Sequence, residues 1–221
     1  MSLQTAIVAT AVTLPLGMFF AWLLVRKDFR GKFALDVLVS LPLALPPVVI
    51  GYVLLWAVGS NAWLGQLSVS LFGSTIAFTW FAAALAAAVV SFPLVVRSFA
   101  AALAGVDPRL EIAARGLGAG PARTFATVTL PLAYRGVIAG VLLGFVRALS
   151  EFGATIVVAG NIPGRTQTIP SAIFTRISTG DTDAAWRLVI VSVVIGIVAL
   201  AIHNWLLKRS GPGYARQGGS N

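Results

Sequence analysis

The sequence predicts an all-α membrane protein, a polytopic bundle of about five transmembrane helices forming one domain over residues 1–221. Three observations carry this. Apolar residues make up 58% of the chain and charged residues 10%, with a mean hydropathy of +0.92, whereas a soluble domain of average composition carries about 25% charged residues. So little charge cannot cover a surface in water. The apolar residues fall in five runs of the length a bilayer requires, about 20 residues at a helical rise of about 1.5 Å. Finally, the basic residues gather in alternate links between those runs, as they do in cytoplasmic loops.

Residues 3–25 carry no charge and reach roughly 34 Å as a helix, enough to cross a hydrocarbon core. The run is too long for the apolar part of a signal peptide, and basic residues follow rather than precede it, so it reads as a retained span. Arg26, Lys27, Arg30 and Lys32 crowd the next link. The second run, 37–58, is interrupted by Pro42, Pro46 and Pro47, which remove backbone donors and predict a kinked or locally unwound helix. Irregular backbone at membrane depth is tolerated where it packs against protein or lines a cavity. Pro46 and Pro47 are therefore candidates for a translocation path, with a kinked packing helix as the alternative.

Residues 59–75 lack charge and contain several Gly and Ser, which predicts a short external loop. The third run, 76–96, is alanine-rich, and small residues let helices approach closely; Arg97 is expected to end it. Residues 107–135 are too polar for lipid but have helical composition around Ala113, Ala114 and Ala122, which places them at the cytoplasmic surface. A fourth span is expected at 136–160, carrying Arg147 and Glu151, then a polar loop through Asn161, Pro163, Pro170, Asp181 and Asp183. The fifth span, 188–207, precedes a glycine-rich tail, 210–221, that reads as flexible.

With the first link inside, 12 of the 16 Lys and Arg fall on the cytoplasmic side, Arg165, Arg176 and Arg187 fall outside, and Arg147 lies within a span. The N-terminus is then outside and the C-terminus cytoplasmic.

The chemistry available is narrow. The chain has no Cys and one His, which excludes disulfides and thiolate metal sites and leaves no ligand set for zinc. No cofactor is expected. The net charge of +9 marks loops rather than nucleic acid, since no dense basic face with stacking aromatics accompanies it. His203 is expected to be a solvated interfacial residue, and Asp181 and Asp183, near Arg187, a solvated loop rather than a catalytic pair. The run from Gly116 to Gly120 lacks the Lys-Ser/Thr ending and the preceding strand of a phosphate loop, so nucleotide binding is rejected. Arg147 and Glu151, four apart, share a helical face and predict an ion pair turned to the bundle, with a role in the path as the second reading. Nothing assembles an enzyme active site.

The segment 107–131 carries the most specific pattern. Ile112-Ala113-Ala114, three residues, Gly118, nine residues, Val128, one residue and Leu130-Pro131 reproduce the spacing of the EAA loop. The chain thereby resembles the permeases of binding-protein-dependent ABC importers. In that family the loop forms a short coupling helix that docks in a groove of the ATPase subunit. Glu111 stands one place before the family's glutamate, whose position Ile112 takes. Ala113 and Ala114 favour helix, Gly118 permits a turn or close approach, and Pro131 can open the following span. The stretches 41–51 (LPLALPPVVIG), 91–97 (SFPLVVR), 149–156 (LSEFGATI), 161–164 (NIPG) and 168–171 (TIPS) are similar to the molybdate branch, with sulfate, thiosulfate and tungstate permeases as alternatives.

The resemblance implies the type I ABC importer permease fold, in the inner membrane. It implies a homodimer of the chain, cytoplasmic ABC ATPase subunits and an external molybdate-binding protein. The ATPase-coupling residues it implies are Glu111, Ile112, Ala113, Ala114, Gly118, Val128, Leu130 and Pro131. A self-contained secondary transporter would need more intramembrane charge than Arg147 and Glu151 supply, and a structural scaffold would leave the EAA spacing unexplained.

Overall fold

The computed structural model describes residues 1–60 and 62–208; the tail expected at 210–221 lies outside them. The first span forms as expected: α1, Ser2–Arg26. Its buried positions, Ala6, Ala9, Thr13, Gly17 and Ala21, follow helical spacing and are all small. They pack on α5, Trp80–Ala104, whose alanine-rich body is the most buried helix of the bundle. Beside α1, α8, Leu130–Leu149, lays Gly136, Gly140 and Gly144 on α5 as well; a Cβ at Gly144 would fall on the Val95 side chain. Lipid provides no hydrophobic drive for such contacts, so close backbone approach and dispersion hold them.

The second run is broken rather than kinked. It forms α2, Lys32–Ala44, and α3, Pro47–Val58, set at 111°. Pro46 and Pro47 follow the last turn of α2, where neither can donate the next helical hydrogen bond, and Pro47 restarts the helix at a position that needs no donor. α2 packs Val39 beside Val95, Val96 and Phe99 of α5, whereas α3 packs Ile50 and Val58 beside Ala82, Ala83, Ala86 and Val90. The pair therefore spreads along α5, and together its two pieces are long and apolar enough for one crossing.

Several boundaries differ from the sequence expectation; among them, the last helix begins at Thr182 rather than 188 and takes in Asp183 and Arg187, which were expected in a loop. Arg97 does not end the third span: α5 continues to Ala104. The guanidinium reaches sideways to Asp36 at 3.0 Å and to the Ser40 hydroxyl at 2.7 Å, both on α2, so the charge is met without breaking the helix. The fourth span is shifted toward the N-terminus. It begins at α7, Pro121–Thr124, passes through a π turn, Phe125–Thr129, and ends with α8 at Leu149, not at 160. Pro131 cannot donate to the preceding turn, and the π turn, closed by the Leu130 N–H to the Phe125 oxygen, accommodates that loss. A separate short helix, α9, Gly153–Val158, follows. The expected external loop contains α4, Trp63–Phe72.

The polar loop contains α10, Ile169–Ser178, opened by Pro170 and by the Thr168 N–H to the Ser171 hydroxyl at 2.8 Å. The Ile169 N–H also donates to the Ser2 hydroxyl, tying α10 to the start of α1. Asp181 pairs with Arg176 at 2.9 Å, and accepts from the Ala184 N–H at the start of α11, Thr182–Lys208. His203 is half-buried rather than merely solvated, with Nδ1 2.9 Å from the Ala139 carbonyl oxygen on α8. Four helices are each long and apolar enough to cross a bilayer, and the bent pair taken together makes a fifth.

Candidate functional site

Two places stand out, one at an end of the bundle and one within it. At the end lies α6, Pro108–Gly116. Asp107 caps it by accepting from the Arg109 N–H at 2.9 Å, and Pro108 opens it. Its last turn closes as a Schellman motif: the Gly118 N–H donates to the Arg115 oxygen at 2.9 Å and the Ala119 N–H to the Ala114 oxygen at 3.1 Å. Gly118 takes φ +87 with nothing within 4 Å of an added Cβ, so within this chain the glycine serves the left-handed turn and not a close approach.

The two faces of α6 differ sharply. Ile112 is 66% exposed and Leu117 90%, and Ala113 and Gly118 are exposed with Ala114 half-covered. Exposed together at one end of a short helix, these groups make an apolar patch of the kind that can take part in contact with another protein. Glu111 is turned the other way, 6% exposed, and bonds Arg26 at 2.9 Å and the Thr129 hydroxyl at 2.8 Å. Val128 and Leu130 are half-buried at the π turn, and Pro131 is exposed at the foot of α8. The fold thus brings together the residues the spacing singled out. Arg26 and Thr129 were missed. Arg26 read only as a topological marker, and Thr129, between Val128 and Leu130, was one of three threonines between 124 and 129 with nothing in the sequence to set it apart.

Within the bundle, the break between α2 and α3 meets the break at 150–152 between α8 and α9. A Cβ on Gly51 would stand 2.6 Å from the Ala154 carbonyl oxygen, and one on Gly153 would stand 3.0 Å from Pro47 Cβ. Pro46 and Pro47 therefore sit beside the segment that holds Glu151. Glu151 is 3% exposed, and both its oxygens are engaged. Oε2 meets Arg147 Nη1 at 2.8 Å, and Oε1 accepts from the Ala154 N–H at 2.9 Å, in the first turn of α9. The ion pair exists as expected, with Glu151 in the break rather than inside a span. Arg147, 31% exposed along its side chain, keeps further N–H groups for other acceptors. A cation beside two broken helices can attract an anion, while the carboxylate fixes the cation and the turn.

Residues 13–211 match the family described as binding-protein-dependent transport system inner membrane component. The chain is 52% identical over 211 residues to the molybdenum transport system permease protein ModB of Escherichia coli K12, covering 95% of this chain and 92% of that one. It is 37% identical to the sulfate transport system permease protein CysT of Salmonella typhimurium LT2, covering 95% of this chain and 76% of that one. Among solved structures, a chain of the inward-facing MetNI methionine ABC transporter shares the fold at a TM-score of 0.67, with 17% identity, covering 93% of this chain and 92% of that one.

Proposed function

The chain belongs to the family of binding-protein-dependent transport system inner membrane components, and from that premise we propose that it is the permease subunit of an ATP-driven molybdate importer. Similarity to the E. coli molybdenum permease along nearly the whole chain is the observation that carries this reading; the sulfate permease is more distant. The subunit is a multi-pass membrane protein that supplies a path and catalyses no chemical step. An ATPase subunit and a substrate-binding protein work with it.

In this reading two copies of the chain pair to enclose the path. The α6 end is cytoplasmic and the N-terminus external, which the basic residues at Arg26, Arg97, Arg109, Arg115 and Arg123 support. α6 docks on the ATPase through Ile112, Ala113, Ala114, Leu117 and Gly118, with Glu111, Val128, Leu130 and Pro131 holding the helix to the foot of α8. ATP-driven closure of the two ATPase subunits moves the α6 helices together, and the spans re-aim the path between its two openings. Arg147, held by Glu151 beside Pro46 and Pro47, gives the path a fixed positive charge suited to a tetrahedral dianion.

The test is purification of the tagged chain in detergent with its ATPase, followed by mass determination of the intact complex. Two copies of each subunit are expected. A complex with a single permease copy, or no association, would reject the assembly.

A further inference from the structure

Glu111 is the acid of a nine-residue surface helix, a setting in which carboxylates ordinarily lie in solvent. Here it is buried beneath α6 because Arg26 lies under it. Arg26 Nη2 is 2.9 Å from Glu111 Oε1, and the same nitrogen lies 2.9 Å from the Leu103 oxygen and 3.2 Å from the Val106 oxygen. Those carbonyls sit at and just past the C-terminal end of α5, where a helix favours a cation. The hydroxyl of Thr129, the last residue of the π turn, donates to the same Oε1 at 2.8 Å, and Arg115 Nη2 stands 3.9 Å from Oε2. The end of α1, the end of α5, α6 and the foot of α8 thus meet at one carboxylate. Beyond α7 and the π turn, α6 has little backbone packing on the bundle, so this cluster is its main link to α1 and α5.

Resting on the reading of α6 as the helix that docks on the ATPase, we infer that Arg26 and Glu111 form the joint through which α6 moves the bundle, Glu111 being a positioning residue and not part of the docking surface. Apolar contacts between small side chains can slide; buried charge-assisted hydrogen bonds resist separation and transmit displacement. The π turn beside Thr129 is a place where helical register can shift. Arg26 Nε is buried without an acceptor among the described residues, so a changed position of α5 or α6 can supply one.

The experiment uses the importer reconstituted in liposomes with its ATPase and binding protein, comparing Glu111→Gln, Arg26→Gln, the double variant and Thr129→Val. Association with the ATPase should be unchanged in each, and ATP hydrolysis should persist. Molybdate taken up per ATP hydrolysed should fall by roughly fivefold or more in either charge variant, and the double should be no worse than the worse single, as for two ends of one link. Thr129→Val, which removes one hydroxyl from the same oxygen, should shift the ratio in the same direction, and it decides the matter if Arg26→Gln fails to accumulate. Unchanged ratios, losses that multiply in the double, or loss of association in Glu111→Gln alone would overturn the joint. Leu117→Arg, outside the joint, separates the two readings. If it leaves association intact, the docking role of α6 itself fails; if it abolishes association while Glu111→Gln couples normally, only the joint fails.

Discussion

Gly51→Ala asks whether the two helix breaks must meet as they do. The added Cβ would stand 2.6 Å from the Ala154 oxygen and 2.8 Å from Ala154 Cα, against ordinary contact from 3.4 Å, so one backbone must retreat by about 0.8 Å. Neither retreats freely: Ala154 is held by its N–H to Glu151, and α3 is fixed at its start by Pro46 and Pro47. Overpacking of this kind typically costs about 1–3 kcal/mol, while Gly→Ala inside a helix returns up to about 1 kcal/mol through propensity. Gly196→Ala, in the middle of α11 with nothing within 4 Å of the added Cβ, carries the propensity gain without the clash. The two variants should therefore differ by about 1–3 kcal/mol in stability, read as the temperature that inactivates half of the detergent-solubilised complex. Gly51→Ala should also slow ATP-driven uptake. If Gly51→Ala matches Gly196→Ala in both measurements, the close meeting of α3 and α9 is not what holds the site.

Further outcomes follow from the same geometry. Leu117→Arg, at the exposed leucine that caps the C-terminal end of α6, should abolish copurification of the ATPase while membrane insertion stays normal, measured by immunoblot of membranes and eluates. At Glu151, the amide of Glu151→Gln can still accept from the Ala154 N–H, so it should assemble better than Glu151→Leu. Exchanging Arg147 and Glu151 should not restore assembly, because an arginine at 151 cannot accept that bond; complex yield in size-exclusion chromatography checks both. For topology, an impermeant thiol reagent in intact cells should label Ser70→Cys and spare Leu117→Cys. Ser68 is unsuitable because its hydroxyl is buried against Gly65 and Ser74.

The spans were legible where apolar runs were uninterrupted, as from Leu3 to Val25, and the end of α6 was legible because Ala113, Ala114 and Gly118 carry their conformational preferences locally. What escaped the sequence depended on partners distant in the chain. Arg97 looked like a terminator because its acceptors, Asp36 and Ser40, lie on another helix. The fourth span looked as though it began after Arg135 because Pro121, Arg123 and Pro131 suggest surface, yet the π turn carries one helical path through them. Glu111 could be placed in the loop but not oriented, since Arg26, which turns it inward, ends a helix far earlier in the chain. Glu151 was paired correctly with Arg147, but its second bond, to the start of α9, required the break at 150–152 to be seen.

The function stands or falls on uptake of radiolabelled molybdate by proteoliposomes holding this chain, its ATPase and its binding protein. Molybdate should accumulate above its external concentration with ATP, fail to accumulate with a non-hydrolysable analogue or without the ATPase, and be displaced by unlabelled molybdate but not by equal sulfate. Accumulation without the ATPase would make the chain a self-contained transporter, and equal displacement by sulfate would contradict its assignment to molybdate.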